Sequence, residues 1–211
     1  MKRLLSLLVV FIVCLVVEST AFAEVKSIYE EKTNWELTYP TVVVSDNIAV
    51  QNRINNDIMT YINDLRADFE TGEYYTCGGN YQVHYEDNDI LSISLCLYRY
   101  PYGANGNHSY SWDIVYDKKT GKKIPLYNYV HITPADLQYY KYYHTYSQSG
   151  ELMQEIWDTD ITEIPTNYFL PGNGSICLVF SPYTLAAGVF GSTYIELEPE
   201  YIEYLNRKNK K

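Results

Sequence analysis

The sequence is short of the residues that most enzymes and metalloproteins bring close together. Its four histidines (His84, His108, His131 and His144) are too scattered for an HxxxH or HExxH pattern, so the commonest local zinc motifs are excluded. There is no CxxC and no Cys/His cluster with zinc-like spacing. No GxSxG turn surrounds Ser175 or Ser181, and Asp158, Asp160 and Glu163 read as solvated acids. With no nucleophile-and-base pair, carboxylate pair or metal constellation, the expectation is a protein that is not an enzyme, with no metal and no cofactor. Basic residues are scarce as well: 16 Lys and Arg stand against 26 Asp and Glu, a net charge of −10. Such a surface repels nucleic acid and anionic lipid and favours basic partners. No repeat or low-complexity tract divides the chain.

One long apolar run is present, at the start. Met1-Lys2-Arg3 precedes fourteen residues, Leu4–Val17, that are apolar apart from Ser6, and Ala21 and Ala23 then occupy the small-residue positions of a signal-peptidase site. A basic start, short apolar core and A-x-A ending predict a secretory signal over residues 1–23. A membrane span needs about 20 residues, so the mature chain, 24–211, is expected to be exported and without a span. Removing Lys2, Arg3 and Glu18 leaves 14 basic and 25 acidic residues, a net −11. Three cysteines remain, Cys77, Cys96 and Cys177. In an oxidising compartment an odd number suggests one bridge and one buried thiol.

The stretch Ile90–Leu126 carries the strongest pattern. Leu91, Ile93, Leu95 and Leu97 alternate with Ser92, Ser94, Cys96 and Tyr98; Tyr110, Trp112, Ile114 and Tyr116 alternate with Ser109, Ser111, Asp113 and Val115. Period two predicts paired antiparallel strands. Matching the apolar faces sets Leu97 near Trp112 and Leu95 near Ile114, with the serines, Cys96 and Asp113 on the opposite face. Upstream, Trp35–Val44 reads as an edge strand interrupted by Pro40. Ser45-Asp46-Asn47 opens an amphipathic helix whose stripe is Ile48, Ile54, Ile58, Tyr61, Ile62, Leu65 and Phe69, ended by Gly72. Tyr74–Tyr85 is a strand, with a bulge at Gly78-Gly79. If Tyr85 pairs with Asp89, that bulge brings Cys77 across from Cys96, predicting a Cys77–Cys96 disulfide and leaving Cys177 free.

Glu86–Asp89 and Asp117–Gly121 are read as turns rather than calcium ligands. Thr133-Pro134-Ala135-Asp136 caps a helix running towards Asp158, with a break near Gly150. Short strands follow at Asn167–Leu170, Ile176–Phe180 and Ser192–Leu197, then a terminal helix from Pro199. The fold class is α+β, a mostly antiparallel sheet with helices packed on it, in one continuous domain or two merged lobes of about 24–85 and 86–211.

Three pieces, "YRYPYGANG", "YDKKTGKKIPL" and "ICLVFSPYTLAAGVFG", occur in this order. Together they resemble the extracytoplasmic domain shared by RsiV-type anti-sigma factors, which bind lysozyme, and the non-catalytic N-terminal part of PdaC-type peptidoglycan deacetylases. The resemblance spans roughly Trp35–Leu205. The family's Gly-Gly-Ala-His loop appears with Asn105 in place of the His, and its Pro-Tyr-Glu segment appears as Pro182-Tyr183-Thr184. It implies a non-catalytic binding module of the cell envelope, taking a basic lysozyme-like protein or, as the alternative, a cell-wall glycan. The chain has 24 tyrosines, whose amphipathic rings suit either partner. The candidate ligand-binding residues are Tyr100, Tyr102, Asn105, Asn107 and His108, gathered in one loop that a rigid hairpin presents.

Overall fold

The structure, a computed structural model, describes residues 23–45, 47–106 and 108–210. The expected signal segment therefore lies almost wholly outside the described residues. Among these described residues nine strands form two sheets, and three α-helices cover them. Strands β1 (Ala23–Lys32), β2 (Trp35–Val44), β3 (Tyr74–Glu86), β4 (Ile90–Pro101) and β5 (His108–Asp117) lie in sequence order in a five-stranded sheet. Every pairing is antiparallel except β2 with β3, joined by the helix α1 (Ile48–Glu70). The second sheet has the order β6 (Thr145–Ser147), β9 (Thr193–Leu197), β8 (Ile176–Phe180), β7 (Tyr168–Phe169), all antiparallel. Helices α2 (Pro134–His144) and α3 (Pro199–Asn209) complete an α+β fold.

Helix α1 starts where its cap residue allows: Asn47 Oδ1 accepts the Val50 N–H at 3.2 Å, satisfying one orphan donor of the first turn. Val50, Ile54, Ile58, Ile62 and Leu65 face the core, each at most 4 % exposed, and meet Leu91, Ile93, Leu95 and Leu97 of β4. Ile48, assigned to this stripe from its spacing, is instead exposed. The α1 face also closes the strand beside it. Asn55 exchanges two hydrogen bonds with the backbone of Val42 (2.7 and 2.8 Å), and Gln51 accepts from Val44 N. Side-chain amides thus continue the ladder where β3 stops pairing with β2.

Several expectations are corrected. Strand β2 is not an edge: β1 pairs along its whole length, and Pro40 is tolerated because it faces the side without a strand partner. The β4–β5 register is Leu97 with Tyr110, Leu95 with Trp112 and Ile93 with Ile114. That is two residues from the expected alignment, a slip that keeps every side chain on its own face and so escapes any test by hydrophobic pattern. The strand β3 runs regularly through Gly78-Gly79, and the bulges lie between Tyr74 and Thr76 and between Val83 and Tyr85. The glycines answer a different need. A Cβ on Gly78 would overlap the Glu36 carbonyl, and one on Gly79 the Cys96 carbonyl, so only glycine admits the neighbouring strands this closely.

Cys77 therefore stands opposite Arg99 and Cys96 opposite Asn80, on different faces of the sheet. Three positions along a strand is about 10 Å, beyond the reach of a bridge. All three described cysteines are free thiols, which overturns the Cys77–Cys96 disulfide. Finally, α2 ends at His144 rather than near Asp158: Thr145–Ser147 leaves the helix to pair with β9. Its start is as expected, Thr133 and Asp136 forming a capping box.

Candidate functional site

The polar face of β4 is buried, and this sets the relation of the two sheets. Strand β7 lies against β4 and β5 on the side away from α1. The bulge at His84 turns both His84 and Tyr85 towards this joint: His84 stacks on Phe169 at 3.9 Å, and Tyr85 lies over Gly172. Ser92 Oγ accepts the Leu170 N–H at 2.9 Å. Ser94 donates to Asp113 and faces His84 Nε2 at 2.5 Å; Ser111 and Asn167 also donate to Asp113, at 2.9 and 2.8 Å.

This Ser/His/Asp group does not have the connectivity of a nucleophilic triad. There the histidine stands between serine and carboxylate, taking the hydroxyl proton. Here Ser94 stands in the middle and gives its proton to Asp113, so His84 is left to donate, as the Nε2–H tautomer. Burial lowers the His84 pKa to about 4, favouring the neutral ring. Burial also raises the Asp113 pKa, against the three donors that lower it. The adjoining cavity is small, about 60 Å³. The arrangement is a joint that satisfies buried polar groups.

The loop between β4 and β5 rises from the same strands. Tyr100 is half-buried and spends its hydroxyl on the Ala104 carbonyl at 2.8 Å, holding the loop rather than offering itself to a ligand. Tyr102 is 64 % exposed, with its ring edge-on to Tyr75 at 5.6 Å. Asn105 is exposed, and Asn107 lies outside the described residues. His108, exposed at the start of β5, forms one wall of a groove of about 440 Å³ with Ser109 and Tyr110.

The opposite wall was not singled out from the sequence. It is the segment after β8, with Pro182, Tyr183, Val189 and Phe190. Tyr183, Val189 and Phe190 are 71 %, 86 % and 47 % exposed, an apolar group with no core to join. Tyr183 holds φ at +66°, costly for a non-glycine residue, with its ring folded over Gly188 so closely that a Cβ there would overlap it. The available signal was "SPYTLAAGVFG" itself, a glycine-bearing apolar run without helical or strand periodicity.

Residues 28–108, which take in α1, β3, β4 and the loop, match the family model "Deacetylase PdaC". No curated protein matches the chain. Two solved structures are similar over nearly the whole fold. One is a DUF3298 family member from Bacteroides fragilis, with a TM-score of 0.61 and 13 % identity, covering 88 % of this chain and 94 % of that one. The other is a DUF3298 family protein from Pseudomonas aeruginosa, with a TM-score of 0.52 and 12 % identity, covering 87 % and 93 %. The fold is the DUF3298 fold. The resemblance read from the sequence holds at this level: the DUF3298 structures share the fold, and the PdaC family model matches its first part. Within this DUF3298-like chain, no described helix is long and apolar enough to cross a membrane.

Proposed function

We propose that the protein is an exported, non-catalytic binding module of the cell envelope, and that it takes a basic, lysozyme-like protein on the groove between the β4–β5 loop and the 181–191 segment. The carrying observation is the exposed apolar wall of Tyr183, Val189 and Phe190 facing His108 and Tyr110. Clustered exposed aromatics on an otherwise charged protein are what a protein interface buries at its centre. The acidic balance agrees in sign with a basic partner, but charge chiefly speeds encounter and is screened beyond about 10 Å, so specificity falls to the shaped apolar contacts. A glycan-binding accessory is the second reading, favoured by the exposed Tyr75–Tyr102 pair, whose rings offer flat faces to a sugar.

Calorimetry with hen lysozyme at low and high salt tests this, using the wild-type protein, His108→Ala with Phe190→Ala, and Gly188→Ala, whose methyl displaces the Tyr183 ring. Affinity that persists at high salt and falls at least tenfold in both variants supports the groove. Binding that vanishes with salt and ignores the substitutions is nonspecific attraction, and sinks it. Binding of chitin or peptidoglycan fragments that is lost in Tyr75→Ala would put the glycan reading first.

A further inference from the structure

A second cavity, of about 790 Å³, lies away from this groove along the outer edge of β5. That edge is covered at both ends and open between them. At one end Asn167 acts as a strand in miniature: its Oδ1 accepts the Asp113 N–H at 2.7 Å and its Nδ2 donates to the Ser111 carbonyl at 3.0 Å. At the other end Ile124 N donates to the Val115 carbonyl and Asp117 N to the Lys122 carbonyl, at 2.7 and 2.9 Å.

These bonds fix which β5 residues face outward. Residues 111, 113, 115 and 117 point their backbone groups away from β4, since both groups of a residue point to one side in an antiparallel ladder. Two of the outward groups, the Asp113 C=O and the Val115 N–H, receive no partner among the described residues. The Ile124 carbonyl, which would close the pair with Val115, instead accepts the Tyr168 hydroxyl at 2.6 Å, and Pro125 then turns the chain off the strand. Val115 and Asp113 are 1 % and 8 % exposed. An unpaired donor and acceptor side by side on the edge of a strand mark a place where a backbone partner fits.

The open pair has a specific complement. In a parallel ladder one residue gives its N–H to the carbonyl preceding the residue it faces, and accepts from the N–H following it. A single residue opposite Ile114, in a chain running parallel to β5, therefore satisfies both groups. The walls beside them are apolar, with Ile164 and Pro165 on one side and Ile124 and Pro125 on the other. Neither proline has an N–H with which to close the gap itself. We propose that this cavity is a peptide-binding site, which adds one residue of an extended apolar segment to the β5 edge in parallel orientation. The site is separate from the loop groove and stands whether or not that groove binds a basic protein.

The probe is acetyl-Ala-Leu-Ala-amide, titrated into 15N-labelled protein, with the same peptide N-methylated at Leu as its control. The Val115 amide proton should move downfield and saturate, as it takes a carbonyl acceptor. The N-methylated peptide, which has no donor for the Asp113 carbonyl, should bind about tenfold more weakly. Ile164→Trp, whose larger ring crowds the cavity wall beside the open pair, should weaken the shift while the remaining amide spectrum stays folded. A Val115 resonance unmoved at millimolar peptide overturns the proposal. So does equal binding of the two peptides, or a response confined to His108 and Phe190.

Discussion

Strand β4 buries both of its faces, one against a helix and one against a second sheet, and different interactions hold the two. Towards α1, Leu91, Ile93, Leu95 and Leu97 are at most 1 % exposed, and their contacts are apolar. Towards β7, Ser92 and Ser94 are equally buried, yet each is tied to a named partner: Ser92 to Leu170, and Ser94 to His84 and Asp113. Apolar burial is non-directional and scales with area, so the first face fixes which side is inside but tolerates a slide by two residues. Hydrogen bonds are directional and costly to leave unmade, so the second face fixes alignment. The molecule gains most of its burial from one side of β4 and its sheet-to-sheet geometry from the other.

The comparison breaks most easily on the apolar side. Leu95→Ala, in the middle of the α1 core, should destabilise by about 3 kcal/mol, from lost transfer energy plus the cavity left behind. Urea unfolding should show a lower midpoint with an unchanged slope; a loss under about 1 kcal/mol would mean that α1 collapses into the space. On the polar side, Asp113→Ala strips the acceptor from Ser94, Ser111 and Asn167 at once. A cost of about 2–3 kcal/mol is expected, with Asp113→Asn milder because its amide oxygen still accepts. Should both substitutions prove neutral, the network does not align the sheets.

What could be read from the sequence follows the same division. The apolar alternation of β4 and β5 and the α1 stripe were legible, because burial leaves a period of two or 3.6 in the chain. The polar joint was not: the serines and Asp113 alternate as they would on a solvated face, and only partners more than fifty residues away, Asn167 and Leu170, show otherwise. The His84 bulge left no glycine to mark it, whereas Gly78-Gly79, which did look like a bulge, are there for close approach. At the candidate site the loop could be found as a cluster of aromatics. Its opposite wall could not, since nothing local brings Tyr183 or Phe190 to His108.

Acid should separate the joint from the rest of the fold. The folded His84 pKa is about 4, lowered by burial, against about 6.5 in the unfolded chain. The unfolded state binds the proton first, so this contribution is complete above pH 6.5 and is lost as pH falls towards 4. Discounted for the part-exposed ring, it amounts to about 2 kcal/mol. Asp136 titrates lower: burial would raise it, but hydrogen bonds from Lys208, Thr133 and Asn209 hold it at about 2. Its contribution is present above pH 4 and fades towards pH 2. Urea midpoints at pH 7, 5 and 3 should therefore fall in the first interval for the wild-type protein and hardly at all for His84→Gln. Equal losses in the two proteins would place the acid-sensitive group elsewhere.

The smallest effect expected is that of a reductant, and it bears on the joint because Cys96 lies beside it. Cys77 is enclosed in the α1 core, Cys96 lies on the opposite face of the same sheet, and Cys177 is buried in the second sheet. Burial pushes the Cys77 thiol up to about 11, and raises the Cys96 and Cys177 thiols as well. Few thiolates are thus available for oxidation even in an oxidising compartment. Removing a native disulfide typically costs 2–5 kcal/mol, so dithiothreitol would lower the melting temperature by several degrees if any pair were bridged. With three free thiols the shift should be within about 1 °C. Thiol titration of the chain 24–211 should count three groups after unfolding, with half-buried Cys96 the first to react under native conditions. A count of one, or a reductant-sensitive melt, would mean that a bridge forms and that the strand register around Cys96 differs from the one described.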